Sequence, residues 1–155
     1  MYNVGKNYEG FLMKKVKKEE VLDKTPKYTV KDVAKIMNIS AHTVRYYDNE
    51  GLIPFVSRTQ SNVRMFSDYD LSWFRIVHCL RATDLSINDI KKYIDLCLKG
   101  NKTIKQRAEI IFAQEKKLEE QLKELQSQMK ILQKKKKYYK ELLKNKGKDI
   151  CNPYK

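Results

Sequence analysis

The sequence has few of the residues and patterns that mark membrane, secreted and metal-binding proteins. It holds three cysteines, five glycines and three prolines in 155 residues, and it has no apolar run of the roughly 18 residues that a membrane-spanning helix needs. Its N-terminus has no apolar stretch long enough for a secretory signal. The cysteines (Cys79, Cys97 and Cys151) fit neither a disulfide framework nor a CxxC metal knuckle. We therefore expect a cytoplasmic protein in a reducing compartment, with no membrane partner and no metal.

Patterns that carry enzymatic chemistry are also missing from the sequence. Paired carboxylates at catalytic spacing, a nucleophile elbow and a phosphate-binding loop are all absent. The sequence predicts a protein that is not an enzyme and that binds no cofactor.

Basic residues are abundant but unevenly spread. The net charge is +14, which favours a nucleic-acid partner. Residues 1–27 carry 7 Lys or Arg against 4 Asp or Glu, residues 28–100 carry 10 against 8, and residues 101–155 carry 16 against 7. Because most of the excess lies in the C-terminal third, a prediction of DNA binding by the middle segment has to rest on a motif.

Composition divides the chain into four segments. Residues 1–27 are polar and lysine-rich, and this composition predicts a disordered, basic extension. Within that extension, Met13 is a candidate start, with residues 1–12 then being an upstream extension of the gene. A domain is predicted over residues 28–100, a long helix over residues 101–145 and a flexible tail over residues 146–155.

Two short helices joined by a tight turn open the middle segment. Thr29, with Asp32 three residues later, predicts a capped helix start. Asn38 suits the left-handed conformation that ends a helix. Ser40 then caps a second helix over about residues 41–50, which Gly51 ends. The pattern predicts a helix-turn-helix, and the apolar stripe of its first helix consists of Val33, Ala34, Ile36 and Met37.

A small β-hairpin, or wing, is predicted next. Two short apolar runs, around Phe55–Val56 and Val63–Phe66, flank the turn-like sequence TQSN.

Two further helices complete the predicted domain. Ser67 with Asp70 opens a third helix by the same capping pattern. This helix is apolar nearly all round, so it is expected to lie at the buried centre. Ser86 with Asp89 opens a fourth helix, whose predicted stripe is Ile87, Ile90, Ile94, Cys97 and Leu98.

The C-terminal third has the most regular apolar spacing. From Ile104 to Leu143, seam positions step by four and three residues without slippage, and Glu115 and Lys136 are the polar interruptions. Such spacing predicts a coiled coil, in which polar seam residues set register and orientation. No Gly or Pro allows the helix to fold back on itself, so the predicted partner is a second copy of the chain. The predicted dimerisation residues are Ile111, Leu118, Leu122, Leu125, Met129 and Leu132.

Two stretches of the chain resemble a known family. YTVKDVAKIMNISAHTVRYYDNEGLI and VRMFSDYDLSWFRIVHCLRATDLSINDIKKYI resemble the DNA-binding domain of the MerR family of transcriptional regulators, from about Tyr28 to Leu98. DLCLKGNKTIKQR resembles the branch that senses aldehydes or thiol-reactive electrophiles without a separate effector domain. Two positions depart from the family pattern. Asn62 stands where the wing turn has Gly, and Asp84 replaces Gly before the fourth helix, although both residue types tolerate positive φ.

The resemblance implies a fold and a mode of action. The fold is mainly α, with a winged helix-turn-helix head followed by a long dimerising coiled-coil helix that pairs antiparallel in a homodimer. The partner is double-stranded promoter DNA with an overlong spacer. Distortion of that DNA lets RNA polymerase, acted on indirectly through the promoter, use both promoter elements.

The second helix separates its residues into two faces. Val44 and Tyr47 are three residues apart and are expected to face the first helix, whereas Arg45 and Tyr46 lie on the opposite side. A recognition helix lies in the major groove with its N-terminal residues at base edges. The candidate DNA-binding residues on this helix and at the wing are His42, Thr43, Arg45, Tyr46, Arg58 and Arg64. For each of them, the alternative interpretation is an ordinary solvated side chain without a role in binding.

Cys79 is the candidate sensor thiol, because the resemblance to the electrophile-sensing branch includes a cysteine at this point of the third helix. Arg75 and Arg81 are nearby cations, and cations can lower a thiol pKa. The alternative is a small buried apolar residue. Cys97 is expected to fill the core, and Cys151 to be an exposed thiol in the tail.

Two other functions remain open at this point. An architectural or phage-type winged-helix protein would bend DNA without sensing an effector. A coiled-coil adaptor would bind protein through its head and would show no salt-dependent affinity for DNA.

Overall fold

The computed structural model describes residues 22–145, 149–151 and 153–154. The chain divides into two compact units, Met1–Ile110 and Ile111–Lys155. The expected disorder of residues 1–21 and the candidate start at Met13 concern residues outside the described ranges. In chain order the elements are α1 (Val30–Met37), α2 (Ala41–Asn49), β1 (Ser57–Arg58), β2 (Arg64–Met65), α3 (Asp68–Ala82), α4 (Ile87–Leu98), a 3-10 turn (Asn101–Thr103) and α5 (Ile104–Asn145).

The residues just before α1 belong to the first unit. The carbonyl oxygen of Asp23 accepts a hydrogen bond from the backbone N–H of Tyr69 at 3.1 Å. Lys27 Nζ lies 2.6 Å from Asp68 Oδ2, and the Tyr28 hydroxyl donates to Asp68 Oδ1 at 2.9 Å. Asp23 and Lys27 thus contact residues more than forty positions away, within a segment whose composition predicts disorder.

Capping residues begin the helices as predicted. Thr29 and Asp32 form a complete capping box at α1, and Ser67 and Asp70 form another at α3. Each box satisfies backbone N–H groups that would otherwise lack partners at a helix start. Ser86 caps α4 by accepting a hydrogen bond from the backbone N–H of Asp89.

The core of the first unit forms between α1, α2, α3, α4 and the residues that flank the wing. Phe74 lies at its centre on α3, fully buried, with the Phe66 ring edge-on at 5.4 Å and the Tyr47 ring at 6.3 Å. The predicted central position of α3 is confirmed. The buried core residues are Val33, Val44, Tyr47, Leu52, Ile53, Phe66, Leu71, Trp73, Phe74, Val77, Leu80, Leu85, Ile90 and Ile94.

Two apolar stripes differ from the prediction at one residue each. Ile36 is 46% exposed, because the core-facing stripe is formed by Val33, Ala34 and Met37, and Ile36 lies roughly 100° around the helix from the centre of that stripe. Leu98 is exposed and Leu96 is buried. Past the end of α4 the chain turns back, and the Thr103 hydroxyl donates to the Leu96 carbonyl at 2.6 Å, which leaves Leu98 outside.

The predicted wing is confirmed, although its strands have only two residues each. Ser57 pairs with Met65 and Arg58 with Arg64 in antiparallel register. Asn62 adopts φ 62°, so it supplies the left-handed conformation expected of it. The predicted apolar runs lie largely outside the strands, and Phe55 is exposed beside the Tyr69 ring.

The second unit contains α5 from Ile111 onward and the described part of the tail. Tyr138 accepts hydrogen bonds from the backbone N–H groups of Ile150 and Cys151, and its hydroxyl lies 2.7 Å from Asp149 Oδ1. Desolvation and the Asp149 carboxylate raise the pKa of Tyr138 to about 12. Tyr138 thus contacts residues 149–151, which lie in the segment predicted to be a flexible tail.

Candidate nucleic-acid interface

Helix α2 presents two adjacent residues to the outside of the head. Val44 is fully buried and Tyr47 is 6% exposed, whereas Arg45 is exposed and Tyr46 is 39% exposed. The predicted two faces of α2 are confirmed. Because Val44 and Tyr47 anchor the helix in the core, Arg45 and Tyr46 project from a fixed backbone.

The start of α2 holds the two remaining candidates on this helix. The backbone N–H of Thr43 donates to Ser40 Oγ at 2.9 Å, and the two hydroxyl oxygens lie 2.8 Å apart. Thr43 is half-buried in this cap, while His42 is exposed. His42 is therefore the freer of the two side chains, and Thr43 has a structural role at the helix start.

A shallow cleft joins α2 to the wing and to the start of α1. Its volume is about 450 Å³. Arg45 lines it from α2, Lys31 from α1 and Arg64 from the wing, and the turn residues Asn62 and Val63 complete the far wall. Arg45 and Arg64, which are predicted separately from the sequence as DNA-binding residues, thus line the same cleft. Lys31, for which the sequence predicts no role, lines it as well. Arg45 and Lys31 give the cleft positive charge that suits a polyanion such as the DNA backbone, while Arg64 is paired with Asp48.

The two wing arginines are already engaged inside the molecule. Arg64 Nε donates to Asp48 Oδ2, and Arg58 Nη2 donates to the same oxygen at 3.1 Å. Arg64 Nη2 also donates to Asn49 Oδ1 at 2.7 Å. Both arginines are predicted from the sequence to contact DNA, without an acidic partner, and no role is predicted for Asp48. Asp48 is the only acidic residue within α2, and its place in the last turn of that helix is the sequence signal that could have identified it.

Cys79 lies on α3 and is half-buried. Burial raises the pKa of its thiol, so the expected lowering by Arg75 and Arg81 is wrong. Arg81 instead donates to the carbonyl oxygen of Leu85 at 2.7 Å. A sensor role for Cys79 stays a prediction from the family resemblance.

The other two cysteines lie in different surroundings. Cys97 is partly buried against the core, as expected, with Arg107 Nη1 at 3.7 Å from its sulfur. Cys151 is exposed, as expected. Within the described ranges, no group of three or more His, Cys, Asp or Glu side chains is arranged to hold a metal ion. Over the same ranges, no helix is long and apolar enough to cross a membrane.

The predicted dimerisation residues all lie exposed on α5. Ile111 and Leu118 are the least exposed of the six, and Leu132 is the most exposed. An exposed apolar row along one side of a helix is typical of a surface that binds another protein chain. The row is Ile111, Leu118, Leu122, Leu125, Met129 and Leu132.

These features define a winged helix-turn-helix DNA-binding protein with a long C-terminal helix. The sequence profile described as MerR HTH family regulatory protein matches residues 28–97. An uncharacterized HTH-type transcriptional regulator of Haemophilus influenzae is 38% identical over 95 residues, which cover 61% of this chain and 70% of that protein. The HTH-type transcriptional regulator AdhR of Bacillus subtilis is 34% identical over 89 residues, which cover 57% of this chain and 64% of AdhR.

Solved structures agree with these relatives. The crystal structure of HiNmlR, described as a MerR family regulator lacking the sensor domain and bound to promoter DNA, superposes with a TM-score of 0.61 at 34% identity. The superposition covers 77% of this chain and 95% of HiNmlR. A putative MerR family regulator from Listeria monocytogenes superposes with a TM-score of 0.64 at 32% identity, covering 74% of this chain and 86% of that protein. The chain belongs to the MerR family of helix-turn-helix transcriptional regulators, which are not enzymes.

Proposed function

We propose that this regulator binds promoter DNA as a homodimer and controls transcription by distorting the DNA between promoter elements. The observation that carries the proposal is the outward placement of Arg45 and Tyr46 on a helix that Val44 and Tyr47 fix in the core. A helix held in this way can enter the major groove with its orientation already set. HiNmlR, which this chain resembles, is described as bound to promoter DNA.

Different residues of the interface have different tasks in this proposal. Arg45 reaches base edges, where a bidentate contact to guanine is worth about 1–3 kcal/mol of discrimination. The Tyr46 hydroxyl and Lys31 contact phosphates, which position the protein without reading sequence. His42 lies at the N-terminal end of the same exposed face. Arg58 and Arg64 contribute mainly through the wing that they hold in place.

Selection of duplexes from a random pool tests DNA binding directly. The chain is expected to enrich a two-fold symmetric sequence and to bind it with an affinity that falls steeply as salt rises. Each phosphate contact contributes a slope of about −0.9 in log affinity against log salt. A head that bound protein instead would enrich no sequence and would show no salt-dependent affinity for DNA.

The charge of α5 supports antiparallel pairing of two copies. Residues 104–124 carry 5 Lys or Arg against 5 Glu, whereas residues 125–145 carry 7 Lys against 1 Glu. Parallel pairing would bring the two basic halves together, at a cost in repulsion. Antiparallel pairing sets each basic half beside the half that holds most of the glutamates.

The polar interruptions of the seam support the same orientation. An antiparallel alignment centred between Lys123 and Glu124 sets every seam position opposite another seam position, with Leu122 opposite Leu125 at the middle. In that alignment Glu115 comes within one layer of the partner subunit's Lys136. A parallel pair in register would oppose Glu115 to its own copy and Lys136 to its own copy, which is unfavourable for both.

Distortion of DNA is the step that would control transcription. A dimer with two heads fixed on one coil binds both half-sites only if the intervening DNA adopts the matching twist and bend, whose cost depends on sequence. Transcription by RNA polymerase from the selected site, placed in spacers of increasing length, tests this step. A response confined to overlong spacers supports it. Binding unrelated to promoter spacers, with no effector response, would instead support an architectural protein.

Cys79 is the proposed entry point for a thiol-reactive signal. The proposal rests on the family resemblance and on the position of Cys79 in α3, the helix at the centre of the head. An adduct at a half-buried thiol needs space that its neighbours in the head occupy, so modification would have to move side chains around α3. Cys79→Ser is expected to lose promoter activation by an aldehyde, and retained activation would rule out the role.

A further inference from the structure

Asp48 occupies a position that helix chemistry does not favour. It lies in the last turn of α2, which contains no basic residue. The C-terminal end of a helix carries partial negative charge, so a carboxylate there is disfavoured. The side chain is only 11% exposed, which adds a cost of desolvation. Contacts beyond the helix must therefore account for this acid.

Those contacts come from both strands of the wing. A single oxygen, Asp48 Oδ2, accepts hydrogen bonds from Arg64 Nε and from Arg58 Nη2. Asn49 holds a second nitrogen of Arg64 at 2.7 Å. Arg58 Nη1 lies 3.4 Å from Asn62 Oδ1 at the tip of the wing. Asp48 thereby links the exposed helix to both strands and, through Arg58, to the wing turn.

The register of the wing explains why an acid is needed between the arginines. Arg58 and Arg64 are directly opposite each other across the two strands, where like charges destabilise a pair. The strands have two residues each, and a short isolated hairpin is marginally stable at best. One carboxylate shared by two guanidinium groups removes the repulsion and ties the hairpin to α2.

We infer that Asp48 is a positioning residue that fixes the wing against the recognition helix and keeps Arg58 and Arg64 from acting as free cations. This inference rests on the proposed DNA binding by the same face. With Asp48 present, the wing has one geometry relative to Arg45, and the three charged groups together carry a single net positive charge. Without it, two arginines on a loosened hairpin can pair with any phosphates in reach. Asp48 thus favours the specific site over other DNA.

The test compares Asp48→Asn with Asp95→Asn, which removes the same charge from an exposed position on α4. Affinity is measured over a range of salt for a duplex selected by the wild-type chain and for a scrambled duplex of equal length. Asp48→Asn is expected to lower the ratio of specific to scrambled affinity about tenfold. It should also steepen the salt slope on scrambled DNA by about 1 to 2, one or two added phosphate contacts. Asp95→Asn should leave the ratio within about twofold of wild type.

Two more variants separate positioning from a purely structural role. Asp48→Glu keeps the carboxylate and should restore most of the ratio. Replacing both arginines, Arg58→Gln with Arg64→Gln, should abolish the effect of Asp48→Asn on the salt slope, because the freed cations are then gone. If Asp48→Asn gives no cooperative melt, Arg64→Lys takes its place. The lysine keeps the positive charge but lacks the planar guanidinium that reaches Asp48 and Asn49 through two separate nitrogens. This variant should therefore also lower the ratio of specific to scrambled affinity.

The outcomes distinguish this inference from the proposed function. A wild-type chain that selects no duplex would overturn both. Suppose that the wild-type chain prefers the selected duplex, but that Asp48→Asn has the same affinity ratio and the same salt slope as Asp95→Asn. This result would overturn the role of Asp48 and leave the proposed function standing. An equal loss of both affinities at unchanged slope would mean that Asp48 only stabilises the fold.

Discussion

The rings of Tyr46 and Tyr47 lie 6.1 Å apart, and the two residues are neighbours in sequence, yet one ring is buried and the other is exposed. Tyr47 is in the core beside Phe74, and Tyr46 lies at the surface beside Arg45. Within one turn of α2, Tyr47 therefore fixes the helix in the core, and Tyr46 forms part of the proposed recognition surface. Substitutions at the two positions should have effects of different kinds.

Tyr47→Ala is expected to lower the free energy of unfolding by about 3–5 kcal/mol, because it removes a large buried ring. Tyr46→Ala is expected to cost about 1 kcal/mol or less in stability and to weaken DNA binding. Denaturant unfolding at one fixed protein concentration, beside titration of the selected duplex, measures both. A larger stability loss at Tyr46 than at Tyr47 would contradict the assignment of the faces.

Arg45→Ala is expected to abolish specific DNA binding while leaving the fold intact. The lost base contact corresponds to about 1–3 kcal/mol at each half-site, and the two losses together should bring the affinity for the selected duplex close to that for unselected DNA. Lys92→Ala, an exposed cation on α4, is the matched control and should change the affinity little. Unchanged binding of the Arg45→Ala variant to the selected duplex would count against the whole interface.

Charge reversal in the coil tests orientation and register together. Glu115→Lys and Lys136→Glu should each weaken the dimer, and the double exchange should recover stability by a coupling of about 0.5–3 kcal/mol. Lys137→Glu, one position outside the seam, is the control. Sedimentation at several concentrations gives the dissociation constants. Additive effects of the two exchanges would refute the antiparallel pairing, and a monomer of wild type at micromolar concentration would refute the dimer.

Cys79 should react with iodoacetamide more slowly than Cys151 at neutral pH. The thiolate is the reactive form, and burial raises the pKa of Cys79, so less thiolate is present. Its rate should climb about tenfold per pH unit while the pH stays below that pKa. Mass spectrometry of peptides from timed reactions gives both rates. Cys79 reacting as fast as Cys151 would show a stabilised thiolate and would strengthen the case for sensing.

Local rules predicted the helix starts and the faces of α2 well. Thr29, Ser40 and Ser67 cap helices within three residues of their partners, so the sequence contains everything that determines them. The left-handed positions Asn62 and Asp84 could be identified for the same reason.

Contacts between distant residues escaped prediction. Arg64 and Asp48 are sixteen residues apart, and Lys27 and Asp68 are forty-one apart. No sequence motif or periodicity predicts either contact. Each contact depends on how the wing and α3 pack against earlier segments of the chain. Lys31 became a candidate only when the cleft showed it beside Arg45.

The bridge between Tyr28 and Phe66 continues into hydrogen bonds made by residues that precede it in the chain. The family profile matches from residue 28, yet the carbonyl oxygen of Asp23 accepts a hydrogen bond from the backbone N–H of Tyr69 on α3. A truncation made at residue 28 would remove Asp23 and Lys27 together and would leave Asp68 without its lysine partner. The head of this regulator thus includes residues 23–27, which lie ahead of the region that the family profile matches.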